Sequence, residues 1–168
     1  MPGSGKSTVG RQLGRRLGLP FFDSDNQIEQ RLGCSIREYF AREGEASFRD
    51  VEEQVIAGLA QGADAVVATG GGTVLREANR LALRQAGRVI YLRSSADELY
   101  RRLRHDTHRP LLQVDDPLDK LRTLYAERDP LYRDAAHFHI ETGRPSVPTL
   151  VNMIVMQLEL AGVLPLAP

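Results

Sequence analysis

Tryptophan is absent from this 168-residue chain and cysteine occurs once, as Cys34. A lone cysteine cannot close an internal disulfide, so nothing calls for an oxidising compartment, and the cytoplasm is the expected location. Net charge is missing as well. The 22 basic residues balance 22 acidic ones, which removes the usual electrostatic ground for expecting a nucleic acid or an anionic membrane as main partner. Long apolar runs are also lacking. The longest uncharged stretch, Pro145 to Leu158, falls short of the roughly 20 residues that span a bilayer, and Pro148, Asn152 and Gln157 interrupt it. The first residues lack the basic-then-apolar pattern of a signal peptide. There is no internal repeat, and no stretch advertises a large apolar interface, so a monomer is expected. Lysine is nearly absent: all but Lys6 and Lys120 of the basic residues are arginine, whose planar fork suits carboxylates and phosphates.

What is present fits a single globular unit over residues 1–168, with 42% hydrophobic and 26% charged residues around one core. Val9, Leu13 and Leu17 recur at helical spacing and predict a helix that starts inside Gly5-Lys6-Ser7-Thr8. Pro20-Phe21-Phe22 reads as a buried strand ending at Asp23-Ser24-Asp25, after which Ile28 and Leu32 resume helical spacing. Ser35 with Glu38 fits a capping box, opening a helix through Ile36 and Phe40; Phe48, Val51, Val55 and Leu59 mark a longer one. Strands are expected at Ala65 to Ala68, Arg88 to Arg93 and His137 to Thr142. Helices are expected at Leu75 to Ala86, Ala96 to Arg104, Leu118 to Tyr132 with Pro130 disturbing its end, and Val147 to Leu160. Strands alternating with helices imply an α/β fold with a mostly parallel sheet covered on both faces. His105 to Pro117, polar and broken by two prolines, reads as a mobile loop.

Gly3-Ser4-Gly5-Lys6-Ser7-Thr8 carries most of a P-loop. Glycine lets successive backbone N–H groups curl round phosphate oxygens, lysine reaches the terminal phosphates, and the serine hydroxyl ligates magnesium. The full pattern asks for another glycine one residue before Met1, and a strand before that. We therefore expect a fold lacking its first strand, with the edges of two neighbours exposed, and a natural start upstream of Met1. Asp23 and Asp25 follow a strand; one carboxylate can serve magnesium and the other a substrate hydroxyl, or they can simply cap a helix. Arg49 among Glu45, Glu52 and Glu53 is either a ligand arginine or half of a surface ion pair. Gly70-Gly71-Gly72 is a turn, or a place where a small ligand approaches the backbone. His137 and His139 lie two apart on a strand, where sheet packing is the better reading than metal binding.

Taken together, Asp23-Ser-Asp25, Ile28-Glu29, Gly33-x-Ser35-Ile36, Phe40, Gly44-Glu45, Phe48-Arg49 and Glu52 resemble the shikimate kinase family. So do Thr69-Gly-Gly-Gly72, Arg109-Pro-Leu-Leu112 and Arg128-x-x-x-Tyr132. These matches run in order over nearly the whole chain. The resemblance implies a three-layer P-loop kinase fold that moves the ATP γ-phosphate to the 3-hydroxyl of shikimate, on the route to chorismate and the aromatic amino acids. It implies Lys6 on the β/γ-phosphates within the nucleotide-binding run Gly3, Ser4, Gly5, Lys6, Ser7 and Thr8. Magnesium would be held by Ser7 with Asp23 in its outer shell. Asp25 would bind the shikimate hydroxyls and act as base. Arg49 and Arg128 would take the carboxylate, and Gly71 and Gly72 would contact the ring through the backbone. Arg109 would act from a lid at about 105–117, Arg102 and Arg144 would flank the adenine, and residues about 24–60 would form the substrate-binding region. The rival readings are another hydroxy-acid kinase, such as a gluconate kinase, and a nucleotide-binding module without catalysis.

Overall fold

A computed structural model describes residues 1, 3–105 and 114–165. The chain begins with α1 (Lys6–Leu17), β1 (Phe21–Asp23), α2 (Ser24–Leu32) and α3 (Ile36–Ala60). Then come β2 (Val66–Ala68), a 3-10 turn (Thr73–Leu75), α4 (Glu77–Ala86), β3 (Ile90–Arg93) and α5 (Ala96–Leu103). The last elements are α6 (Pro117–Ala135), β4 (Phe138–Glu141) and α7 (Val147–Leu160).

The strands form two parallel pairs. β1 lies beside β2 with Asp23 opposite Ala68, and β3 beside β4 with Tyr91 opposite His139. Among the described residues no strand joins the pairs. Between them lies a cavity of about 490 Å³, walled by Val66, Val67 and Ala68 on one side and Ile90, Tyr91 and Leu92 on the other. Successive β3 residues face opposite ways, as the strand period requires. Leu92 joins Val9, Leu13, Leu150 and Ile154 of α1 and α7, whereas Tyr91 joins Leu99, Leu121, Leu124 and Tyr132 of α5 and α6. Helices therefore cover both faces, the three-layer α/β arrangement. A third cluster, Ile28, Phe48 and Val55, fastens α2 to α3.

The capping box at Ser35 and Glu38 is present, each side chain bonded to the other residue's backbone N–H at 3.1 and 3.0 Å. α3 carries a break at Gly44 (φ 83°, ψ 172°), which divides it between its two apolar runs. Two expectations need correction. Leu75 does not open α4. Thr73 N–H bonds Gly70 O and Leu75 N–H bonds Gly72 O, so the glycine turn tightens into a 3-10 turn, and extended Arg76 separates it from α4. Nor does Pro130 disturb the end of α6, which runs past Tyr132 to Ala135. Proline interrupts one helical hydrogen bond, but Tyr132 and Ala135 beyond it are buried in the core and hold the last turn in place.

Candidate active site

Gly3 and Gly5 both adopt left-handed backbone (φ 76° and 83°), which an L side chain resists, and Gly5 caps α1. Lys6 Nζ arches back to donate to Met1 O at 2.8 Å, and Ser4 Oγ donates to the same carbonyl at 2.9 Å. Ser7 Oγ donates to Asp23 Oδ2 at 2.5 Å, tying the start of α1 to the end of β1. Asp23 also caps α2, its Oδ1 accepting from Asp25 N–H at 3.0 Å. Capping and placement beside the phosphate loop are therefore both properties of this one carboxylate. Thr8 is exposed on the next turn position of α1.

Asp25 stands in the first turn of α2, half-buried. Burial raises its pKa from 3.8 to about 6, with Asp23 and Glu52 adding to the rise and Lys6 opposing it. This carboxylate therefore lies within the electrostatic reach of the P-loop lysine and of α3.

The triple glycine after β2 joins these parts. A Cβ on Gly70 would sit 2.6 Å from Asp25 Oδ1, and a Cβ on Gly72 would collide with Arg49 Nη1. Any side chain at either position would displace an acidic group or a guanidinium. Gly70 N–H donates to the fully buried Ser24 hydroxyl at 3.0 Å, and Gly71 O accepts from Tyr132 Oη at 2.5 Å. Arg49 is held by Glu52 (2.9 Å) and Glu45 (3.3 Å), while its buried Nε–H has no hydrogen-bond partner among the described residues. The ion pair with Glu52 is not a surface pair, because Glu52 is only 1% exposed and also accepts from Thr73 Oγ1 at 3.3 Å. Arg128, half-buried on α6, acts electrostatically on both the Met1 amino group and the Tyr132 hydroxyl.

Arg102 Nη2 donates to Thr142 O at 2.6 Å, and its Nη1 meets Gly3 O at 3.4 Å, so it borders the outer side of the P-loop. Arg144 is exposed just past β4. Arg109, with most of the expected lid, lies outside the described residues.

Comparison with known proteins settles the family. The shikimate kinase family model matches residues 2–159. The chain belongs to the shikimate kinase family. It is 60% identical over 171 residues to the shikimate kinase of Paracidovorax citrulli, covering all of this chain and 93% of that protein. Shikimate kinase from Acinetobacter baumannii, solved in complex with shikimate, superposes with a TM-score of 0.89 at 44% identity, over 96% of this chain and 90% of that one. The Aquifex aeolicus shikimate kinase gives 0.85 at 31% identity, over 97% and 95%.

The donor set suits a magnesium–nucleotide complex. Ser7 and Asp23 offer hard oxygens side by side, and the described residues contain no group of three or more His, Cys, Asp or Glu fit to hold a metal alone. Magnesium takes this form, one or two protein oxygens with nucleotide phosphates completing its shell. His137 and His139 are structural: His137 Nδ1 accepts from Val89 N–H at 3.0 Å, and the His139 ring meets Tyr91 edge-on. Sequence reasoning named Gly70 only as part of the glycine run and Glu52 only as a neighbour of Arg49, and it missed Ser24 and Thr73 as supports of the site. The i,i+3 spacing of Arg49 and Glu52 could not reveal the burial of Glu52.

Proposed function

We propose that this chain phosphorylates the 3-hydroxyl of shikimate with ATP, and that Asp25, Arg49, Arg128 and the glycine turn bind the acceptor. As a shikimate kinase it is an ATP-dependent kinase of the shikimate pathway. The observation that carries the assignment of residues is the turn Gly70–Gly72, which touches Asp25 on one side and Arg49 on the other. A hydroxy acid needs a cation for its carboxylate and an acceptor for its hydroxyls, and these two side chains supply both within one contact distance of the same turn.

In this reading Arg49 and Arg128 grip the carboxylate, and Gly71 and Gly72 face the ring through their backbone. Asp25 accepts the proton of the 3-hydroxyl as that oxygen bonds to the γ-phosphorus and the bridge to ADP breaks. With a pKa of about 6, Asp25 is ionised at neutral pH and more basic than a solvated aspartate. Lys6, with the amides of Gly3, Ser4, Gly5, Ser7 and Thr8, surrounds the terminal phosphates. Arg109 closes over them from the lid, while Arg102 and Arg144 border the adenine. Ser7 and Asp23 would hold magnesium, which neutralises charge on the β- and γ-phosphates when bound. Residues 1–168 act as one kinase domain, with the acceptor region at about 24–60, working as a cytoplasmic monomer.

ADP release tests the assignment, measured with ATP alone and with shikimate, gluconate or other sugar acids added. Shikimate-dependent release is expected; release driven equally by gluconate, or nucleotide binding without release, would remove it. Asp25→Asn should lower kcat by roughly 10²–10⁴-fold.

A further inference from the structure

Tyr132 belongs to a motif whose arginine has a proposed ligand while the tyrosine has none. It lies one helical turn beyond Arg128, is 8% exposed, and stacks on Tyr91 with ring centroids 4.9 Å apart. Tyr91 is itself fixed by donating its hydroxyl to Asp129 Oδ1 at 2.9 Å. The ring of Tyr132 therefore has little freedom, and its hydroxyl donates to Gly71 O at 2.5 Å.

That carbonyl belongs to the Gly71–Gly72 peptide unit. In a planar trans peptide the C=O of one residue and the N–H of the next point in opposite directions. Holding Gly71 O against Tyr132 therefore aims Gly72 N–H away from α6. Glycine stands on both sides of this bond, so no side chain opposes rotation of the peptide plane. A flip would carry φ of Gly72 from −93° into the left-handed half of the map, which costs glycine almost nothing. Neighbouring atoms of the turn are held separately, by Gly70 N–H to Ser24 Oγ, Thr73 N–H to Gly70 O, and Asn79 Nδ2 to Thr73 O. None of those bonds fixes the 71–72 plane.

We infer that Tyr132 is a positioning residue: its hydroxyl locks the Gly71–Gly72 peptide plane and so presents the Gly72 N–H to the acceptor. The inference rests on the proposal that Gly72 meets shikimate through its backbone.

Two variants test it, Tyr132→Phe, which keeps the stack on Tyr91, and Tyr132→Leu, which loses it. Losing one orienting hydrogen bond should raise the KM for shikimate in Tyr132→Phe by roughly three- to tenfold, with the KM for ATP held within about twofold. Calorimetric titration of shikimate should show the same loss. Tyr132→Leu should add a fall in melting temperature that Tyr132→Phe lacks. A Tyr132→Phe enzyme with unchanged shikimate KM and affinity, or one in which both KM values rise together with a fall in melting temperature, overturns the inference and leaves Tyr132 a packing residue. If the unaltered enzyme shows no shikimate-dependent ADP release, the proposed function fails instead, so the two failures are distinct.

Discussion

Replacing Asp25 by asparagine should stabilise the unliganded protein while it slows turnover. The carboxyl titrates at 3.8 in a solvated chain and at about 6 in the fold, because burial, Asp23 and Glu52 disfavour its charge. Between those values the folded state binds more protons than the unfolded one, so stability falls as pH climbs from about 4 to about 6, then stays low. At 1.36 kcal/mol per pH unit the penalty reaches about 3 kcal/mol above neutrality. Asparagine has nearly the same shape and carries no charge, so it escapes this penalty. For a chain of this size the gain corresponds to a rise of roughly 6–12 °C in melting temperature. Thermal melts of both proteins without ligand, from pH 4 to pH 8, read it directly. The gap should be widest at pH 7–8 and should close near pH 4. Equal melting temperatures at pH 8, or a gap that widens as pH falls, would show that the Asp25 charge carries no such penalty. The same carboxyl should give kcat/KM for shikimate an acid limb near pH 6.

Glu52→Gln keeps the shape of a buried partner but leaves Arg49 with only the exposed Glu45. A urea midpoint should show a loss of about 3–5 kcal/mol. Because Glu52 also raises the pKa of Asp25, the acid limb of the activity profile should move to lower pH in this variant. Gly70→Ala puts a methyl 2.6 Å from Asp25 Oδ1 and should reduce kcat roughly 10²-fold, as expected when a reacting group is displaced by about an ångström. Gly72→Ala collides with Arg49 instead and should raise the KM for shikimate.

Local patterns in the sequence expose those parts of this fold that depend on local rules. The period of Val9, Leu13 and Leu17 placed α1, and the serine and glutamate three apart placed the start of α3. Gly44 divided α3 where its two apolar runs part. The errors came where tertiary structure overrides a local signal. Pro130 should disturb its helix near Tyr132, but Tyr132 and Ala135 are buried beyond it; Leu75 should open one, but the glycine turn draws it into a 3-10 bend. The site divides in the same way. Lys6, Ser7 and the two aspartates follow from motif chemistry. That Gly70 must be glycine because of a carboxylate 45 residues away in the chain, or that Glu52 is buried while Glu45 is not, depends on how α2, α3 and the turn meet. Helical periodicity brings Arg49 beside both glutamates and cannot say which of them faces the core.

Where shikimate sits in a crystal grown with shikimate and a non-hydrolysable ATP analogue tests the proposed acceptor site most directly. The carboxylate should lie within hydrogen-bond distance of Arg49 and Arg128, the ring against Gly71 and Gly72, and the 3-hydroxyl on Asp25 facing the γ-phosphate. A carboxylate held elsewhere, or a 3-hydroxyl pointing away from Asp25, would contradict it.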